Sequence, residues 1–218
     1  MLSVPGVYRP QGDTFLLCAA LRSAAVTAGA SVLDVCTGTG AVAIAAARCG
    51  ASRVTAVDVS ARAVLAARLN ARVRGCAVRV HRGHLFAPVA GERFDVITAN
   101  PPYVPSPGAP GPHSRARAWD AGPQGREGVD RICAQAPALL VPGGTLLMVH
   151  SALCGVETSL ESLREQGLKA AVVARDTVPF GPVLRARAAQ LRARGLIAAG
   201  QEHEELVVIR ADRPERRA

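Results

Sequence analysis

Large rings are scarce in this chain. Aromatic residues make up only 3% of 218, with one tryptophan, two tyrosines and four phenylalanines. A core must therefore be filled by Ala, Val and Leu, and 49% hydrophobic content is enough for one domain with little left for a second. The shortage also argues against a single-strand nucleic-acid binder, in which basic residues alternate with stacking rings. Lysine is nearly absent too. Lys169 is the single one, so arginine carries the surplus that brings the net charge to +9. That surplus suits an acidic partner or nucleic acid, and equally a set of solvated helix faces. No run of about 18 apolar residues is present, which excludes a membrane-spanning helix. The opening MLSVPGVYRPQGD has no basic start followed by an apolar stretch, so no signal peptide is expected and the location is expected to be cytoplasmic. The six cysteines, at 18, 36, 49, 76, 133 and 154, form no C-x-x-C pair and lie in no zinc-finger pattern. They read as small core residues in a reducing compartment, and no metal site is expected.

Short apolar runs alternate with helical stretches, the pattern of a parallel sheet flanked by helices. Asp13 is placed to cap a first helix running to about Ala28. Strands are expected at Val32–Val35, Val54–Val57, Val78–Val80, Phe94–Ala99, Thr145–Val149, Lys169–Ala174 and Leu206–Arg210. Helices are expected at Ala41–Cys49, from the Ser60 cap to about Gly75, and at Gly128–Leu140, Val156–Gln166 and Val183–Arg194. Pro142-Gly143-Gly144 reads as a turn into the fifth strand. Residues 1–210 then form one domain and 211–218 a charged, frayed tail. The Pro- and Gly-rich stretch Val104–Gln124, with His113, Arg115, Arg117, Trp119 and Asp120, follows the fourth strand, where open α/β sheets bind ligands.

Two strand ends carry chemistry. Val32–Val35 runs into Cys36-Thr37-Gly38-Thr39-Gly40. Glycines there let backbone approach a ligand, and the following helix start offers free N–H groups. Gly38 to Ala43 fits the G-x-G-x-x-A dinucleotide fingerprint, so a nicotinamide cofactor is one reading. Asp34 favours another: a carboxylate before the turn repels a pyrophosphate and attracts the ammonium of S-adenosylmethionine (AdoMet). Asp58, at the end of the second strand, suits ribose hydroxyls in either case.

Phe94–Ala99 runs into Asn100-Pro101-Pro102-Tyr103. Two prolines stiffen the turn and remove two N–H donors, leaving carbonyls unpaired, and the asparagine amide oxygen adds another acceptor. Such acceptors can pin both N–H bonds of a planar –NH2 and aim its nitrogen at a methyl donor. Carbonyl dipoles also stabilise the positive charge that develops on nitrogen. Tyr103 is placed to stack on a flat acceptor or to face the cation.

These residues resemble the HemK/PrmC-type protein-glutamine N5-methyltransferases, especially the short eukaryotic and archaeal branch. Val7-Tyr8-Arg9-Pro10 with Asp13–Leu17, Gly83-His84-Leu85-Phe86, Trp119-Asp120 with Gly125-Arg126-Glu127-Gly128, and Glu204-Glu205-Leu206 are also similar. The resemblance implies a Rossmann-like, seven-stranded class I methyltransferase fold, mostly parallel with the last strand antiparallel. It implies AdoMet as cofactor, bound by Thr14, Asp34, Cys36, Gly38, Gly40, Asp58, His84, Leu85 and Asn100. It implies catalysis by Asn100, Pro101, Pro102 and Tyr103 on a glutamine amide, of the Gly-Gly-Gln type in peptide-chain release factors, with a small activating partner protein and no membrane. Cys36 stands in place of the first glycine of the turn, and His84 where the family mostly has an adenine-binding acid. Two other readings remain open: methylation of an exocyclic amine of adenine or guanine in nucleic acid, and a non-catalytic AdoMet-binding subunit of a heterodimer.

Overall fold

A computed structural model describes residues 1–2, 4–24, 28–106 and 119–215. His113, Arg115 and Arg117 lie outside the described residues. In chain order the elements are α1 (Gly12–Ser23), β1 (Ser31–Val35), α2 (Ala41–Arg48), β2 (Arg53–Asp58), α3 (Ala61–Val73), β3 (Arg79–Arg82), β4 (Phe94–Ala99), α4 (Glu127–Leu139), β5 (Leu140–Ser151), α5 (Val156–Glu165), β6 (Lys169–Pro179), α6 (Pro182–Ala193) and β7 (His203–Asp212).

The strands form one seven-stranded sheet in the order β3-β2-β1-β4-β5-β7-β6. The pairs β3–β2, β2–β1, β1–β4 and β4–β5 are parallel, and β7 runs antiparallel to both β5 and β6. Successive residues of a strand face opposite sides, so β1 sends Val32 to one core and Leu33 and Val35 to the other. Against Leu33, Ile97, Leu146 and Met148 lie Val129, Ile132 and Cys133 of α4 and Leu160 and Leu163 of α5. Against Val32, Val54, Leu147 and Val208 lie Leu17 and Leu21 of α1, Val42 and Ala43 of α2, and Val64 and Ala67 of α3. The glycine turn before α2 lies close against α3: a Cβ at Gly40 would sit 3.1 Å from Ala67.

Several expected boundaries shift. The first helix ends at Ser23, not near Ala28, and its N-cap is Gln11. Asp13 is one residue inside the helix and buried, so it does not cap. Pro142-Gly143-Gly144 is an irregularity within β5: Leu140 already pairs with Phe94, the register shifts before Val96, and Gly143 takes φ +78°. β6 continues to Pro179 as the partner of β7, which begins at His203. β7 also keeps Ala211 and Asp212, opposite Leu146 and Thr145, so these two belong to the sheet and not to a tail.

Leu147 is fully buried in the middle of β5. Leu147→Ala is expected to lower stability by about 2–5 kcal/mol through the cavity it leaves, with AdoMet affinity unchanged, as read by urea unfolding and calorimetric titration.

Candidate functional site

The chain leaves β1 toward β2 and β3 on one side and returns through β4 on the other, so the strand order reverses between β1 and β4. Open α/β sheets bind ligands in the crevice beyond such a point. Val35 pairs with Ala99, which sets Cys36 and Asn100 on adjacent strand ends, about 4.8 Å apart by strand spacing. The two chemical motifs therefore share one cavity of about 1160 Å³. Its walls include Tyr8, Thr14, Asp34, Cys36, Gly38, Asp58, His84, Leu85, Asn100–Val104, Trp119 and Glu204. Every residue expected to act on cofactor or acceptor lines this cavity except Gly40, which stands just behind the wall as the N-cap of α2.

On the β1–β2 side, Asp58 accepts from the Gly38 N–H at 2.9 Å and from the Ser60 N–H at 2.9 Å. This carboxylate shapes the turn and lines the cavity. Cys36 takes φ +58°, a left-handed backbone that favours glycine and costs a side-chain-bearing residue about 1–2 kcal/mol. The turn thus keeps its glycine-like shape although a thiol occupies the position. Burial pushes that thiol well above its ordinary pKa, as do the Asp58 and Asp34 carboxylates. It is therefore a neutral wall.

Asp34 is 1% exposed. Its two oxygens accept from Thr37 Oγ1 at 2.5 Å and Thr98 Oγ1 at 2.8 Å. Burial pushes its pKa up to about 6, against the lowering effect of those hydroxyls. Its negative charge faces the cavity while its hydrogen bonds hold the turn. His84 is exposed, with Nε2 at 3.4 Å from Arg131 Nη1. Arginine only donates, so Nε2 is the acceptor in this contact. Leu85 beside it takes φ +45°.

On the β4 side the decisive group is Asp13. Tyr8 and Tyr103 both donate their hydroxyls to Oδ2, at 2.9 and 3.0 Å. Thr14 Oγ1 donates to Oδ1 at 3.1 Å, and Asn100 Nδ2 lies 3.5 Å from the same Thr14 oxygen. Both ends of the Asn-Pro-Pro-Tyr turn are thus tied to one carboxylate on α1. Engaging the Asn100 NH2 leaves its Oδ1 as the acceptor for a ligand. Burial, then Asp13, push both phenols far above their ordinary pKa, so they remain donors. Tyr103 is a strut anchored at its hydroxyl. The apparent cap signal of Asp13 concealed this role, because a capping carboxylate and a buried acceptor look alike in a sequence.

The segment 125–128 supports the turn from behind. Gly125 has φ +73°, and a Cβ there would run into the Tyr103 carbonyl oxygen; one at Gly128 would press on Pro101 at 3.1 Å. Arg126 is buried and donates to the carbonyls of Cys154 and Gly155, while the Cys154 thiol donates to the Tyr103 carbonyl at 3.0 Å. Val104 forms a bridge to Asp120, and Asp120 pairs with Arg187 at 2.5 Å. Arg187 also reaches the Pro105 carbonyl, and Arg194 that of Pro123. Two arginines of the basic helix are therefore spent on holding the loop ends.

Residues 4–109 match the family model described as "Methyltransferase small domain". A Methanocaldococcus jannaschii protein named "putative protein N5-glutamine methyltransferase" is 35% identical over 81% of this chain and 88% of its own length. The chain belongs to the protein-glutamine N5-methyltransferase family. Other family members are longer: a "Release factor glutamine methyltransferase" of Gloeobacter violaceus is 39% identical over 64% of this chain and 52% of its own length. The chain spans about half the length of several such relatives. The fold matches the structure described as the "E. cuniculi Mtq2-Trm112 complex", with a TM-score of 0.67, 22% identity, and coverage of 95% of this chain and 99% of that one. AdoMet is the cofactor of this methyltransferase fold.

Asp13→Ala would strand two phenols and the Thr14 hydroxyl without their acceptor. It is expected to cost about 1–3 kcal/mol in urea unfolding and to slow single-turnover methylation more than it weakens AdoMet binding. A stability change below about 0.5 kcal/mol would show that the hub carries little. Gly128→Ala is expected to displace Pro101 and lower kcat, with the AdoMet Kd unchanged by calorimetry.

Proposed function

We propose that the protein transfers a methyl group from AdoMet to the side-chain amide nitrogen of a glutamine in a protein. The acceptor we favour is the Gly-Gly-Gln type of peptide-chain release factors. One observation carries this reading: Asn100, with its NH2 engaged by Thr14, presents its oxygen beside the Cys36–Gly40 turn, on the neighbouring strand end.

AdoMet supplies an electrophilic methyl on its sulfonium when bound. Asp58 would hold the ribose hydroxyls, and the negative field of Asp34 would favour the ammonium end. Thr14, Cys36, Gly38 and Leu85 line the same cavity, and Gly40 shapes the turn from behind. His84, in contact with Arg131, lines it beside Leu85. Asn100 Oδ1 and the carbonyl of Pro101 accept the two N–H bonds of the glutamine amide. This fixes the plane of a nitrogen whose lone pair is delocalised, so orientation supplies much of the rate. The same oxygens stabilise the positive charge that builds on nitrogen as its bond to the methyl carbon forms and the sulfonium S–C bond breaks to leave a neutral thioether, and the nitrogen then loses one proton to water. Pro102 stiffens the turn, and the Tyr103 ring stands beside the acceptor with its hydroxyl on Asp13.

The relatives support a protein acceptor. They include release factor glutamine methyltransferases and a "Ribosomal protein uL3 glutamine methyltransferase" of Bradyrhizobium diazoefficiens, 44% identical over 56% of this chain and 40% of its own length. The likeness to the Mtq2-Trm112 complex supports a small partner protein here also. The arginine surplus favours nucleic acid less than its number suggests, since Arg126, Arg187, Arg194 and Arg213 are engaged with backbone carbonyls. No helix among the described residues is long and apolar enough to cross a membrane, and a cytoplasmic site of action fits a translation factor as acceptor.

Asn100→Ala is expected to lower kcat at least about 100-fold on a purified release factor while the AdoMet Kd stays within about twofold. Tritium transfer from labelled AdoMet and calorimetric titration measure the two. Undiminished turnover in the variant would remove the mechanism, and label entering RNA or DNA in place of protein would replace the acceptor.

A further inference from the structure

Glu204 is the second residue of β7, opposite Val178 of β6, and is only 7% exposed. It lines the cavity, and its Oε2 has no hydrogen-bond partner among the described residues. The carboxyl is held on one side by the Ser151 hydroxyl at the end of β5, and the titratable groups that face it are Asp13 of α1, the phenols of Tyr8 and Tyr103 and the Cys154 thiol. Among the described residues no arginine or lysine faces it, so these residues provide neither a donor nor a countercharge for this oxygen.

The sheet order tells which ligand meets it. The cofactor turn and Asp58 stand at the ends of β1 and β2, Asn100 at the end of β4, and Glu204 at β7, two strands beyond β4. Ala99 pairs with Met148 and Val149 with Val208, so Glu204 lies two strands across from Asn100 and four residues further along, beyond the strand ends on the side away from Asp58. That is too far for the nitrogen being methylated, and it lies on the acceptor side, where the main chain bearing the amide has to pass. A buried carboxylate oxygen left without a donor is costly, and an acceptor that enters here can supply one. A site of this kind rejects a ligand that fails to supply the missing hydrogen bond.

We infer that Glu204 is a specificity-determining residue, whose free carboxyl oxygen accepts a backbone N–H of the acceptor polypeptide beside the methylated side chain. The inference rests on the methyl-transfer reading of the same site, and it does not depend on which residue is methylated. It gives the Glu204-Glu205-Leu206 stretch a role on the acceptor side. It also explains why the first residue of β7 facing this cavity is an acid in a wall otherwise formed by Val178, Pro179, Leu184 and Leu206.

Wild type, Glu204→Gln and Glu204→Asp are incubated with tritiated AdoMet and a lysate, the labelled protein is identified by mass spectrometry, and its KM and kcat are measured with each enzyme. Glu204→Gln is expected to raise the acceptor KM about tenfold, with kcat and the AdoMet Kd within about twofold, and Glu204→Asp to fall between. Burial, opposed by Ser151 and aided by Asp13, pushes the Glu204 carboxyl up to about 7. The ionised form is the better acceptor. The wild-type KM is therefore expected to fall as pH rises through about 7, and the Glu204→Gln KM to lose that dependence. An unchanged acceptor KM in Glu204→Gln overturns the inference. So does loss of AdoMet binding in both variants, which assigns Glu204 a structural role. Label on a residue other than glutamine, with the KM effect retained, overturns the glutamine reading and leaves Glu204 in place. No labelled acceptor with any enzyme contradicts both.

Discussion

Parallel pairing of β1 with β4 is the constraint on which the rest depends. Because Val35 lies against Ala99, the glycine turn that follows one strand and the proline turn that follows the other emerge side by side. Separated by some sixty residues of chain, neither motif specifies chemistry alone. The strand order makes them two walls of one cavity, at the place where helix-flanked sheets leave a crevice.

The walls are held by different means. The cofactor side is held by hydrogen bonds inside the turn: Asp58 to two backbone N–H groups, Asp34 to two threonines, and Cys36 in a glycine-like backbone state. The acceptor side is held by elements distant in sequence. Asp13 of α1 ties both ends of the Asn-Pro-Pro-Tyr turn, while Gly125, Gly128 and Cys154 limit where its backbone can move. A preorganised set of acceptors needs little rearrangement as charge develops, which is how a reaction with no strong base is accelerated.

Much of this was legible in the residues. Phe94–Ala99 is an apolar run bounded by Arg93 and Asn100, and its limits are those of the observed strand. The glycine turn after β1 and the acid at the end of β2 are local signals, read correctly because they depend on nearest neighbours. What was not legible depends on contacts distant in sequence. Asp13 has the appearance of a cap, and only the fold brings Tyr103 to it. The exposed alternation of β6 carries too weak an apolar signal to show that it reaches Pro179, and the pairing with β7 determines it. The arginine surplus suits solvated helix faces or an acidic partner, yet Arg187 of α6 and Arg194 just after it turn back to the carbonyls of Pro105 and Pro123.

A crystal structure with S-adenosylhomocysteine bound tests the central claim most directly, because the claim concerns relative placement. The account predicts ribose hydroxyls on Asp58, the sulfur facing Asn100 Oδ1 across the β1–β4 crevice, and open space beyond it toward Tyr103 and Glu204. A sulfur directed toward β2 and β3, with Asn100 screened from it by protein, would contradict the account.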